Sequence, residues 1–82
     1  MLSEPVLYDS ERIELAGTLV QQCRQALENE GWRTHADSLR VLEPVNTRAK
    51  VMLAYEALRA MRVGGVLGSY VDVAAQVCKS AL

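Results

Sequence analysis

The sequence predicts an all-α fold: a small four-helix domain made of two helical hairpins, in which a long, a short, a long and a medium helix follow one another. Half of the 82 residues are hydrophobic, mostly Leu, Val and Ala, and Ala and Leu favour helices. Apolar residues recur at steps of three and four and do not alternate with polar ones. Glycines or prolines separate the recurring stretches. We expect residues 1–82 to form a single domain, with residues 1–8 as a short N-terminal arm.

The first predicted helix begins at Asp9 or Ser10, both common N-cap residues, and runs to about Glu30. Gly31 supplies the left-handed residue with which many helices end. One broad face of this helix is predicted to be buried, and it consists of Ile13, Ala16, Val20, Cys23 and Leu27.

The second predicted helix is short, from about Thr34 to Glu43. Thr34 and Asp37 have the spacing of a capping box, and Pro44 prevents the helix from continuing. Trp32 precedes the cap, where a large aromatic ring can fold back over the core. The narrow apolar stripe of this helix consists of Ala36, Leu39 and Leu42.

The third predicted helix is capped by Asn46 or Thr47 and runs to about Val63, where Gly64 and Gly65 break it. Its apolar residues cover more than half of the circumference, which is typical of a helix with more than one neighbour. It is the central helix of the bundle, or part of its surface contacts a second copy of the chain or a different protein, and the two interpretations are not exclusive.

The fourth predicted helix opens with a capping pair, Ser69 and Asp72. Its apolar residues repeat at helical spacing and are predicted to face the core: Tyr70, Val73, Ala74, Val77, Cys78 and Ala81.

Candidate partner-binding residues lie on the third helix and just after it. Arg, Tyr and Met are enriched at protein interfaces, and a cationic edge here could be an ordinary solvated face or could meet an acidic partner or phosphates. The predicted partner-binding residues are Arg48, Met52, Tyr55, Arg59, Arg62, Val63, Val66 and Leu67.

Charge is distributed unevenly along the chain. Residues 1–30 carry six acidic and two basic residues, a net charge of −4, whereas residues 33–62 carry three acidic and six basic residues, a net charge of +3. A small DNA-binding regulator that uses the basic segment 33–62 is therefore the alternative function. The turn at Gly31 fits a helix-turn-helix poorly, because Glu30, Asp37 and Arg40 occupy positions that should be buried.

The residues indicate a protein that is not an enzyme and has no metal or other cofactor. One His and two distant Cys do not have the paired spacing of a zinc site, and no glycine loop matches a nucleotide-binding motif. Cys23 and Cys78 lie on apolar stripes and are read as buried thiols, with one disulfide as the alternative. His35 is expected to be partly exposed, without a special role.

We expect a cytoplasmic protein that acts on another protein or a second copy of itself. The first residues lack the basic and hydrophobic regions of a signal peptide, and charged residues interrupt every hydrophobic segment. Neither a membrane nor a small-molecule substrate is expected as a partner.

Overall fold

A computed structural model describes residues 9–66 and 68–82, which form four α-helices. These are α1 (Asp9–Asn29), α2 (Arg33–Arg40), α3 (Arg48–Val63) and α4 (Ser69–Ser80). The all-α prediction is confirmed, as is the order of a long, a short, a long and a medium helix. The predicted arm of residues 1–8 and the candidate residue Leu67 lie outside the described residues.

The helices pack as two hairpins that share the α1–α4 contact. α1 packs against α2, and α3 packs against α4. α4 also packs along α1 in the opposite direction: Tyr70 donates a hydrogen bond to Glu30 at 3.1 Å at one end, and Arg12 donates to the Ser80 carbonyl at 3.5 Å at the other. α3 makes only smaller contacts with α1 and α2. One side of α3 is therefore left open.

Three of the predicted helix boundaries are confirmed by the backbone. Gly31 has φ of +88° just after α1, and Gly65 has φ of +99° after α3, conformations that glycine adopts without the clash of a Cβ atom. The Thr47 hydroxyl accepts a hydrogen bond from the Lys50 amide at 3.2 Å and caps α3.

Both predicted capping boxes are wrong. α2 begins at Arg33, so Thr34 lies within its first turn, and the N-cap Trp32 contributes no side-chain hydrogen bond. α4 begins at Ser69 itself, after Gly68, also without a side-chain cap. Both helices begin at least one residue earlier than the predicted capping residue would place them. The backbone carbonyls of Trp32 and Gly68 already accept the first helical hydrogen bonds of α2 and α4.

The acidic residues of the two predicted boxes form ion pairs instead. Asp37 lies 3.6 Å from Arg40, one turn further along α2, and Asp72 lies 2.8 Å from Arg62 on α3. Asp72 therefore joins α4 to α3 and does not close a turn of its own helix.

Trp32 does not close over the core as predicted. It remains 40% exposed, and its ring centroid lies 5.6 Å from that of His35. His35 is partly buried, as expected, with Trp32 as its aromatic neighbour.

The core is built from small side chains, because the chain contains no Phe. The stripe predicted for α4 needs one correction: Val73 is half exposed, and Val71 and Ala75 are buried in its place. None of the buried side chains within the described residues is polar or charged. The largest fully buried side chains are Val20, Cys23, Leu27, Leu39, Val51, Leu58, Val66, Val71 and Cys78.

A partly buried ion pair holds α1 to the segment that follows α2. The Arg24 side chain is only 15% exposed. Its Nε donates to Glu43 at 2.7 Å, and its Nη1 donates to Glu28 at 3.0 Å. Arg40 also pairs with Glu28. Charge-assisted contacts with two carboxylates fix the direction in which the chain leaves α2 toward α3.

The chain between α2 and α3 presses directly on Gly17 of α1. A Cβ atom at Gly17 would lie 2.5 Å from the backbone oxygen of Val45, so only glycine allows this approach. We expect Gly17→Ala to destabilise the protein by about 1–3 kcal/mol, although alanine is the better helix former by about 1 kcal/mol. Urea unfolding followed by circular dichroism measures this change.

Thr18→Ala is the matched control, because Thr18 is the exposed neighbour in the same helix. We expect its free energy of unfolding to stay within about 0.5 kcal/mol of the original. A Gly17→Ala variant as stable as the original protein would contradict the close contact with Val45.

Candidate interaction surface

One side of α3 faces the core. Its buried side chains, Val51, Ala54, Leu58 and Met61, follow one another at steps of three or four residues. At about 100° per residue these positions share a single face. Tyr55 and Ala57 are partly buried beside this face, and the remaining apolar residues of α3 point elsewhere.

The opposite side of α3 exposes large apolar side chains to solvent. Met52 is 49% exposed, Leu53 is 51% exposed and Val63 is 88% exposed. The wide apolar stripe of α3 is thus divided into a buried part and an open part. We name the open part the α3 outer face, which consists of Ala49, Met52, Leu53, Glu56, Arg59, Ala60 and Val63.

The α3 outer face extends along the whole helix. Its central residues, at positions 49, 53, 56, 60 and 63, follow one another at alternating steps of four and three. This spacing keeps side chains on one side of a helix and is the spacing of a coiled-coil seam. Near the C-terminal end, an open groove of about 430 Å³ is bounded by Glu56, Arg59, Ala60, Val63 and Gly64.

Arginines line one edge of the outer face, but they are not equivalent. Arg59 is exposed and lies over the Tyr55 ring at 5.8 Å, a cation–π contact. Arg62 is exposed too, but it is held by Asp72 of α4 at 2.8 Å. Arg48 is exposed at the first turn. Of the three, Arg59 is the one that belongs to the outer face.

The structure separates the predicted partner-binding residues into three groups. Met52, Arg59 and Val63 belong to the outer face, while Arg48, Tyr55 and Arg62 lie along its edge. Val66 is only 1% exposed and belongs to the core, so it has no surface to offer a partner in this fold. Its amide bonds to the Met61 carbonyl, which turns the chain inward after α3. Leu67 lies outside the described residues.

Four residues of the outer face were not predicted from the sequence: Ala49, Leu53, Glu56 and Ala60. They lie on the outer face between predicted residues, and apolar type alone could not show that Leu53 is exposed while Leu58 is buried. Their position around the helix could have identified them. Glu56 marks the middle of the exposed face, because a carboxylate in a helix this apolar must point to water.

A second exposed apolar patch lies between α1 and α4. Leu15 is 44% exposed and Val73 is 50% exposed. Val73 and Leu19 border a groove of about 250 Å³. Val41, which is 80% exposed, stands apart from both patches at the end of α2. The outer face of α3 is distinguished by having its apolar residues in one line on one helix.

Ion pairs neutralise part of the basic segment 33–62. Arg40 contacts both Glu28 and Asp37, and Arg62 contacts Asp72. Positive charge that is paired with carboxylates contributes little to phosphate binding, which depends on the number of phosphates neutralised.

The two cysteines are unbridged and buried. Cys23 is 1% exposed and Cys78 is fully buried. Burial in apolar surroundings, and then the proximity of Cys78, raises the pKa of Cys23 to about 12, and burial raises the pKa of Cys78 to about 11. A nucleophilic cysteine reacts as the thiolate, so this environment disfavours nucleophilic chemistry at either sulfur.

No family model, curated protein or solved structure matches the chain. Within residues 9–66 and 68–82, no helix has the length and hydrophobicity needed to cross a bilayer.

Proposed function

We propose that this protein is a non-enzymatic protein–protein interaction module, an adaptor, regulator or inhibitory subunit, that acts through the α3 outer face. The observation that carries the proposal is the line of Met52, Leu53 and Val63, each about half or more exposed along one helix. Removal of a large apolar side chain from water contributes about 1.5–3 kcal/mol when burial is complete. A partner that covers this line gains that energy.

The chemical composition of the outer face supports the same proposal. Met and Arg are enriched at interfaces, and Met adapts its shape to different partners. Ala49 and Ala60 are small, which lets the backbone of a partner helix approach closely. A helix laid along α3 would find apolar anchors at both ends and two charged residues, Glu56 and Arg59, between them.

The test compares two pairs of substitutions at matched exposure. Leu53→Gln with Val63→Gln removes two anchors from the outer face, and Val73→Gln with Val41→Gln removes two residues of similar exposure elsewhere. Proteins captured from the native host are identified by mass spectrometry, and the affinity of a purified partner is then measured by calorimetry. We expect the outer-face variant to bind about tenfold or more weakly and the matched control to bind normally.

Equal loss in both variants, or no loss in either, would contradict a role for the outer face. Tight binding to duplex DNA at moderate salt, with affinity falling steeply as salt rises, would favour the DNA-binding alternative.

A further inference from the structure

We propose that the occupant of the α3 outer face is α3 of a second copy of this chain, packed antiparallel about a two-fold axis that lies between the two outer faces at the level of position 58. The inference rests on the proposed function and specifies its partner and register. It depends on the order of apolar, small and charged residues along the face. A second copy that runs in the opposite direction presents the same residues in reverse order, so apolar residues face apolar ones and the charged residue faces a small one.

The antiparallel register follows from the seam positions. In an antiparallel pair centred at position 58, each residue lies opposite the one whose number brings the sum to 116. Leu53 then lies opposite Val63 of the second copy, and Glu56 lies opposite Ala60. This register gives four layers of facing side chains. In each of the two outer layers Leu53 faces Val63, and in each of the two inner layers the Glu56 carboxylate faces the small Ala60 side chain.

Glu56 explains why this register is preferred to its neighbours. Moving the axis by half a heptad toward the N-terminus would place Glu56 against Leu53 of the second copy and leave Val63 without a partner. A parallel pair would place the two Glu56 carboxylates directly opposite each other in the middle of the apolar strip. Like charges brought together away from water are destabilising, and the antiparallel register centred at position 58 avoids both faults.

Arg59 supplies the opposite charge at the same place. It lies one turn after Glu56 on the outer face, and in the proposed register it reaches the level of Glu56 on the second copy. Glu56 makes no ion pair within the described part of the chain, whereas Arg62 is already held by Asp72. In the dimer, two Glu56–Arg59 ion pairs related by the two-fold axis therefore give each Glu56 carboxylate the ion-pair partner that it lacks in the described part of the monomer.

The expected association is weak. The sixteen residues of α3 extend about 24 Å, and one helix from each copy buries less than the roughly 800 Å² per partner of a standard interface. We therefore expect the dimer to form at micromolar or higher concentrations and to dissociate on dilution.

The decisive experiment uses charge reversal and mixing. Glu56→Arg puts four positive side chains around the axis, and Arg59→Glu puts four negative ones there. Sedimentation equilibrium at protein concentrations of ~10 to ~500 µM should show a dimer for the original protein and about tenfold or more weaker dimerisation for each variant alone. An equimolar mixture of the two variants should restore the dimer, because one copy is then wholly positive at the axis and the other wholly negative.

Cysteine crosslinking tests the direction of packing. Leu53→Cys and Val63→Cys are made as separate variants, with the native thiols buried and slow to react. The mixture of the two should form a disulfide-linked dimer, while each variant alone should form much less. A preferred crosslink within Leu53→Cys alone would place the two copies of position 53 opposite each other and overturn the proposal.

A strictly monomeric original protein across that concentration range would also overturn it, as would a mixture of charge variants that stays monomeric. Circular dichroism of each variant confirms that these exposed substitutions leave the helices intact. The original protein could be monomeric while the Leu53→Gln with Val63→Gln variant binds a different partner protein more weakly than the original does. In that case only the dimer proposal fails, and the proposed interaction function stands. If neither dimer nor partner depends on the outer face, both fail.

Discussion

Leu58→Ala should destabilise the protein by about 2–5 kcal/mol, because Leu58 is fully buried on the core side of α3. The loss combines the transfer energy of the deleted methyl groups with the cost of the cavity they leave. A chain of this length has a total stability of about 4–12 kcal/mol, at about 0.05–0.15 kcal/mol per residue. The variant should therefore melt far below the original protein or fail to fold.

Leu53→Ala is the matched control on the same helix. The substitution and its effect on helix propensity are identical, but Leu53 is 51% exposed. We expect its stability to fall by less than about 1 kcal/mol when measured at a concentration where the monomer predominates. Thermal and urea unfolding of both variants gives the comparison. Equal losses of stability at the two positions would contradict the burial of Leu58 on one side of α3 and the exposure of Leu53 on the other.

Alkaline pH should unfold the protein through its two buried thiols. Burial raises the pKa of Cys23 to about 12 and of Cys78 to about 11, against an ordinary value of 9.0. Below that ordinary value both states hold the thiol protons, and the stabilisation is fully present. Above it the unfolded chain loses its protons while the folded chain keeps them, so stability falls as pH rises. Between pH 9 and 11 the loss should reach about 4 kcal/mol for the two thiols together.

A variant with Cys23→Ala and Cys78→Ala isolates this effect. Burial also raises the pKa of Tyr70, as do its hydrogen bond to Glu30 and the charge of Cys23. Tyr70 remains in both proteins, so its contribution cancels except for the part that Cys23 causes. The variant should start less stable, because two buried side chains are shortened, and should lose less stability with rising pH. Urea midpoints measured at several pH values supply both curves. Parallel curves would contradict the raised thiol pKa values.

Helix positions were largely predictable from local sequence. Gly31 and Gly65 adopt the left-handed backbone that glycine favours, and Thr47 caps α3 through its hydroxyl. The stops and starts at these residues depend on backbone sterics and one short-range hydrogen bond. Such effects are complete within a few residues, so sequence alone is sufficient to predict them.

The capping box predicted at the start of α4 failed because its acidic residue has a partner on another helix. Asp72 has the sequence position of a capping-box residue, yet it contacts Arg62 on another helix. The capping box and the ion pair compete for the same carboxylate, and the choice depends on where α3 lies relative to α4. No local pattern contains that distance.

The sequence by itself determined that the protein is helical, that its core consists of small side chains, and that α3 is more apolar than one buried face requires. Only the tertiary structure decided which side of that apolar helix is covered. Leu53 and Leu58 are the same residue five positions apart, and one is half exposed while the other is buried. Val66 and Val63 are similarly divided. Residue type sets the energy gained on burial, but the neighbours that exclude water come from α4 and, to a smaller extent, α1 and α2, so exposure depends on contacts between distant parts of the chain.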